Sequence, residues 1–137
     1  MKKILVTGDR GYIGAVLTPL LIKYGYEVIG LDTEYFRFTI NNKALFPRYK
    51  KITKDIRKIE KKDIAGINTI IHLSALSNDS MGDIDSNLTE EINFQASVRL
   101  AEIAKDVGVK RFIFSSSCSV YGGHGKIPVT EKDAVDP

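Results

Sequence analysis

Three glycines, at residues 8, 11 and 14, stand between a β-branched run and a helical pattern, in Thr7-Gly8-Asp9-Arg10-Gly11-Tyr12-Ile13-Gly14. That order suits phosphate binding. Gly8 permits a tight turn, Gly11 lets the backbone approach a pyrophosphate, and Gly14 lets the following helix lie close to the sheet. The helix N-terminus then offers unpaired N–H groups and the positive end of its dipole. The usual dinucleotide fingerprint is G-x-G-x-x-G; here one extra residue separates the first two glycines. Glycine loops also serve plain turns, so the context decides. Asp32 ends the second strand pattern 18 positions after Gly14. A carboxylate there can accept both hydroxyls of an adenosine ribose and would repel a 2′-phosphate. The expected cofactor is NAD. Arg10 and Arg37 argue the other way, since either guanidinium could meet a 2′-phosphate.

Other residue types allow less. Cys118 is the only cysteine, so neither an intramolecular disulfide nor a thiolate metal cluster can form, and no metal site is expected. A reducing, cytoplasmic setting fits best. His72 reads as a strand-end histidine with no part in proton transfer. Nine Lys or Arg residues lie between Lys43 and Lys62, against only Asp55 and Glu60. Such a patch could hold nucleic acid. No recognition motif accompanies it, so a solvated edge with basic decoration is the preferred reading, and no nucleic-acid partner is expected.

The elements that would position these residues alternate between β-branched runs and helical patterns, the mark of βαβ units and a parallel sheet. Strands are expected at Lys3 to Thr7, Glu27 to Asp32, Tyr49 to Thr53, Thr69 to Leu73 and Arg111 to Ser115. A first helix should present Ile13, Val16, Leu17, Leu20, Leu21 and Tyr24 to the sheet and stop at Gly25. Pro19 within it forfeits the bond to the Ala15 carbonyl, at a cost of about 3 kcal/mol, and should kink it. An irregular stretch, Thr33 to Phe46, precedes the third strand. A short charged helix is expected over Arg57 to Asp63. After a polar loop with Ser77, Asn78, Asp79, Ser80 and Gly82, the longest helix should begin near Asn87. Asn87 and Glu90 have the spacing of a cap and a reciprocal acid. Leu88, Ile92, Ala96, Leu100, Ile103, Ala104 and Val107 form its apolar stripe, with Gly108 at its end.

With 137 residues, 43% hydrophobic and 27% charged, the chain suffices for one globular core. No run approaches the 18 or so apolar residues of a membrane span, so no membrane association is expected. The start, MKKILVTGDRG, is too short in apolar residues for a signal-peptide core. The expected fold class is α/β, a Rossmann-type parallel sheet of order 3-2-1-4-5 with helices on both faces. Residues 1–137 would form one NAD-binding domain, incomplete on its C-terminal side because the fifth strand leaves an open edge.

The ordered motifs resemble the extended short-chain dehydrogenase/reductase family, the NAD-dependent epimerases and dehydratases of nucleotide sugars. Thr7 to Gly14 matches T-G-x-x-G-x-I-G. Asp55-Ile56 looks like the family's adenine-contacting pair, and His72-Leu73-Ser74-Ala75 is similar to H-L-A-A, whose backbone lines the cofactor. Ser115-Ser116-Ser117-Cys118-Ser119-Val120-Tyr121-Gly122 closely matches S-S-x-x-V-Y-G, and Asn93 falls on the central-helix asparagine. The resemblance implies hydride transfer between a sugar carbon and a nicotinamide, with a nucleotide sugar as substrate and a possible homodimer. It places the substrate-orienting hydroxyl on Ser117. It assigns cofactor contacts to Gly8, Asp9, Arg10, Gly11, Tyr12, Ile13, Gly14, Asp32, Asp55, Ile56, Leu73, Ser74, Ala75, Asn93 and Ser115.

The family's base, the tyrosine of a Tyr-x-x-x-Lys pair, is not in these 137 residues. Tyr121 is followed four positions later by Gly125, and Lys126 is one residue too far. The chain is therefore expected to bind a dinucleotide and turn over little. It would be the cofactor half of a longer enzyme or, alternatively, a non-catalytic dinucleotide-binding or sensing module. Where the family's 4,6-dehydratases carry an Asp-Glu pair, this chain has Cys118-Ser119. A thiol and a hydroxyl replace two carboxyl groups poorly, so epimerase or simple dehydrogenase chemistry is preferred over elimination.

Overall fold

The computed structural model describes residues 2–35, 48–77, 86–122 and 128–136. Arg37, Gly125 and Lys126, and most of the two polar stretches after Asp32 and Leu76, lie outside the described residues. Five strands, β1 (Lys3–Thr7), β2 (Glu27–Asp32), β3 (Lys50–Thr53), β4 (Thr69–His72) and β5 (Arg111–Phe114), form one parallel sheet in the order β3-β2-β1-β4-β5. The expected order is the observed one. β1 is flanked on both sides, and Ile4, Leu5 and Val6 are all buried, as a continuous β-branched run in a parallel sheet requires. The chain reverses direction across the sheet between β1 and β4, so a crevice opens at the carboxyl ends of those strands.

Helix α1 (Tyr12–Lys23) runs uninterrupted through Pro19. It ends in a Schellman motif: the Gly25 N–H donates to the Ile22 carbonyl and the Tyr26 N–H to that of Leu21. Its buried face differs from the expected one. Gly14 and Thr18 are buried, with Leu21 and Ile22 packed on β1 and β2, while Ile13, Val16, Leu20 and Tyr24 are exposed. The reason is proximity. The helix starts so close to the glycine turn that a Cβ on Gly14 would stand 2.1 Å from the Gly8 carbonyl oxygen, so the near face must be small rather than bulky.

On the opposite face lies the larger core, with Leu5, Leu31, Ile56, Ile59, Ile64, Ile70 and Leu100 at its centre. The segment after β3 makes two 3₁₀ turns, Ile56–Lys58 and Lys61–Asp63, in place of the expected single charged helix. Ile56 and Ile59 are both buried, and their three-residue spacing suits the three-residue turn. Among the described residues, four of the cations between Lys43 and Lys62 are paired, Lys62 with Glu60 among them. Lys54 bridges Glu60 and Asp63, Arg57 bridges Asp55 and Glu91, and Lys61 meets Asp106.

The long helix is described from Ser86 onward, with Asn87 itself helical and not its cap. It comprises α2 (Ser86–Thr89), a π-helical stretch (Glu90–Gln95) and α3 (Ala96–Asp106). The wide turn has a physical role. Leu88, Ile92, Ala96, Leu100 and Ala104 recur every four residues, which overshoots the 3.6-residue turn and would carry the stripe around the helix. An i→i+5 turn, seen in the Ala96 N–H donating to the Glu91 carbonyl, absorbs that excess. Ala96, Leu100 and Ala104 are accordingly buried. Gly108 ends the helix as expected, with its N–H bonded to the Lys105 carbonyl and that of Val109 to Ala104. β5 is an edge strand with Ile113 and Phe114 exposed. Among the described residues no helix is long and apolar enough to cross a membrane.

Candidate functional site

The glycine turn sits at the carboxyl end of β1, against the ends of β2 and β4. Gly8 has φ +71°, donates its N–H to the Leu31 carbonyl (2.8 Å), and leaves only 2.9 Å between an added Cβ and the Leu73 carbonyl carbon. Any side chain there would be both strained and obstructed. Gly11 is the N-cap of α1. No side chain caps the helix and no acid lies in its first turn. The backbone N–H groups there keep their capacity for an anion, with the helix dipole behind them. This cradle fits a pyrophosphate: small at each point of approach and polar through backbone alone.

Asp32 closes one side. Its Oδ2 accepts the Arg10 N–H (3.1 Å) and its Oδ1 the Glu34 N–H (2.7 Å). Each carboxylate oxygen keeps a further lone pair for a ligand hydroxyl. Glu34, which the sequence did not single out, has φ +58° and pairs with Arg10: Nε and Nη2 of the guanidinium are each 3.2 Å from Oε1. Arg10 therefore has its charge matched within the site.

Asp9 corrects an expectation. It stands in the phosphate motif, yet its side chain is buried at 1% exposure beneath β2 and is not presented to a ligand. The Tyr49 hydroxyl donates to Oδ2 over 2.5 Å. Burial raises the Asp9 carboxyl above its usual range, opposed by the Tyr49 hydrogen bond and reinforced by the nearby Asp32 charge. Burial and the Asp9 carboxylate together push the Tyr49 phenol far up, so it stays protonated and remains a donor.

His72, at the end of β4, is buried and links three elements. Ser97 donates to the Asn93 carbonyl (2.8 Å), so it accepts from Nε2 of His72 (2.8 Å). Nδ1 then accepts from the Thr7 hydroxyl (2.6 Å). This single-tautomer chain follows from one proton on each hydroxyl. Burial lowers the His72 pKa to about 4, so the ring is neutral at pH 7 and acts as a strut. The Thr7 oxygen also accepts the N–H groups of Leu73 (3.2 Å) and Ser74 (3.3 Å), which fixes the loop Leu73-Ser74-Ala75 beside Gly8. Asn93 holds the same loop from the helix side: its Oδ1 accepts the Leu76 N–H (2.7 Å) and its Nδ2 donates to the Leu76 carbonyl (2.9 Å). With both amide groups engaged by protein, Asn93 supports the loop.

Asp55 caps the first 3₁₀ turn, and bidentate contact with Arg57 holds its carboxyl below the usual range. The Ile56 side chain belongs to the core. Beyond β5, Ser115, Ser116 and Ser117 are exposed. The Ser115 N–H donates to the His72 carbonyl (3.3 Å), carrying the serine loop alongside the β4 loop. Ser117 Oγ caps the short turn Cys118–Tyr121 through the Ser119 N–H (3.2 Å) and lies 2.8 Å from Ser119 Oγ. Cys118 is exposed. Among the described residues no cluster of His, Cys, Asp and Glu could hold a metal ion.

Comparison with known proteins matches this arrangement. UDP-glucose 4-epimerase of Neisseria meningitidis serogroup C is 36% identical over 143 residues, covering 96% of this chain and 41% of that protein. The structure of MoeE5 in complex with UDP-glucose and NAD superposes with TM-score 0.84 and 29% identity, over 98% of this chain and 42% of the other. UDP-glucuronic acid 4-epimerase from Bacillus cereus, in complex with UDP-glucuronic acid and NAD, does so with the same TM-score and identity, over 98% and 46%. The chain thus spans less than half the length of these relatives. The family model described as "NAD dependent epimerase/dehydratase family" matches residues 4–137. With the glycine cradle, the strand order and this match in agreement, the chain belongs to the NAD dependent epimerase/dehydratase family.

Proposed function

We propose that residues 1–137 form the NAD-binding portion of a nucleotide-sugar epimerase or dehydrogenase. The observation that carries this reading is the uncapped, acid-free N-terminus of α1 over the Gly8–Gly14 cradle, with the Asp32 carboxylate beside it. The backbone of residues 11–14 would hold the pyrophosphate, and Asp32 the adenosine ribose. Asp55 and the Ile56 backbone would meet the adenine, and the Leu73-Ser74-Ala75 backbone the remainder. Bound NAD supplies a hydride acceptor and donor for a sugar carbon. Ser117 would orient the reacting hydroxyl. Since no tyrosine in these residues has a lysine four positions on, the family's tyrosine base is not supplied by these residues. Cys118-Ser119 in place of two acids favours epimerase or dehydrogenase chemistry over elimination. A cytoplasmic location and a homodimer belong to the same proposal, supported by the lone cysteine and by the family.

Calorimetry tests it. The chain should bind NAD more tightly than NADP, and Asp32→Ala should weaken NAD and narrow the gap. Equal or tighter NADP binding would show that arginine charge outweighs Asp32. Residues 1–137 should show no sugar epimerisation or NAD reduction above a no-protein control. The alternative, a dinucleotide-sensing module, rests on the missing tyrosine–lysine pair. It would gain if a longer parent protein also lacked turnover.

A further inference from the structure

Deepening the proposed dinucleotide site, and resting on that reading, we infer that Glu34 determines cofactor specificity by withholding the Arg10 guanidinium from a 2′-phosphate. Arg10 and Glu34 are held on opposite oxygens of one carboxylate: the Arg10 N–H on Oδ2 of Asp32 and the Glu34 N–H on Oδ1. Any ribose on Asp32 therefore lies within reach of both side chains. A guanidinium in that place is a ready phosphate ligand. Here Nε and Nη2 both point at Glu34 Oε1, at 3.2 Å. The pair is sheltered, with side-chain exposures of 20% and 21%, so solvent screens it only in part. A 2′-phosphate would have to displace Glu34 and then sit beside two carboxylates. Glu34 also keeps φ +58°, a conformation that disfavours a residue with a Cβ. The Asp32 bond holds it there.

Two mechanisms thus oppose NADP, and they read out differently. Asp32 acts by attracting the ribose hydroxyls, so its removal weakens NAD. Glu34 acts by occupying Arg10, so its removal strengthens NADP. Arg37, the other cation that the sequence sets against Asp32, lies outside the described residues.

Isothermal titration of the 137-residue chain with NAD and with NADP tests this, on the native sequence, Glu34→Gln and the double variant Glu34→Gln/Arg10→Ala. Thermal melts confirm that each is folded. Glu34→Gln should tighten NADP by roughly tenfold, the size of one charge-assisted contact, and leave NAD within about threefold. The double variant should lose that gain. An unchanged NAD-to-NADP ratio in Glu34→Gln overturns the inference, and so does a gain that survives Arg10→Ala, which would assign the cation to Arg37. Binding of neither cofactor by the native chain would overturn the reading of the site as well, a result distinct from an unchanged ratio.

Discussion

The carboxyl group of Asp9 fills the space that Gly30 leaves by having no side chain. A Cβ at residue 30 would stand 2.2 Å from Oδ2 of Asp9, in the middle of β2. Gly30 is the reason a charged residue can be accommodated in the phosphate motif and turned beneath the sheet. Gly30→Ala should therefore destabilise by about 1–3 kcal/mol, as overpacking does, and Asp9→Ala/Gly30→Ala should recover part of the loss. Thermal unfolding of the three proteins checks this.

The donor to that carboxyl matters as much as the space. Tyr49→Phe leaves a buried carboxylate without its hydroxyl and should cost about 1–3 kcal/mol. Asp9→Asn keeps an acceptor for Tyr49 and removes the buried charge. Because burial raises the Asp9 pKa, the folded state holds that proton more strongly than the unfolded chain. The group's contribution is largest below the unfolded value near 3.8 and is lost as pH rises through the folded value. Asp9→Asn should therefore stabilise at neutral pH, and the gain should vanish below about pH 3.8. A variant less stable than native at pH 7 would show that the charge-assisted Tyr49 hydrogen bond, with Arg10 and Lys51, outweighs desolvation.

His72 gives the opposite slope. Its folded pKa of about 4 lies below the ordinary 6.5. The unfolded chain takes up the proton first, so stability is fully present above pH 6.5 and falls as pH drops toward 4. A shift of this size corresponds to roughly 3 kcal/mol over the window. Urea midpoints at intervals from pH 4 to 7.5 should show the decline, and His72→Gln should flatten it. An equally steep profile in the variant would assign the decline to carboxylates.

Asn93 meets both backbone groups of Leu76. Asn93→Ala removes two hydrogen bonds worth about 1 kcal/mol each, and the Leu76 amide should exchange with solvent at least tenfold faster, by roughly that free energy. Asn93→Asp keeps the acceptor and loses the donor, so it should fall between. NMR-detected exchange measures this, with core amides such as Ile70 as the unchanged reference.

Ser117 is tested in a longer protein that supplies a Tyr-x-x-x-Lys pair. There Ser117→Ala should lower kcat by about 10²-fold or more, as loss of a positioned hydrogen bond at a reacting oxygen does. NAD affinity should stay within about threefold, since among the described residues Ser117 Oγ bonds within its own turn. Full activity in that variant would move the role to Ser119, 2.8 Å away.

The sequence alone determined the sheet order, the glycine cradle and the placement of Asp32, because each follows from spacing along the chain. A β-branched run, three glycines and a strand-end acid are local patterns, and right-handed crossovers turn their order into a topology. It also determined that the tyrosine–lysine pair is missing here. Tertiary structure decided which side chains are buried and which pairs meet. Asp9 and Tyr49 are 40 positions apart, Arg10 and Glu34 are 24, and Asn93 and Leu76 are 17; no periodicity links such pairs. It likewise chose the small face of α1 over the apolar one, since closeness to Gly8 leaves no room for bulk. Burial then fixed the protonation of His72 and raised that of Asp9, because desolvation depends on what packs around a group in three dimensions.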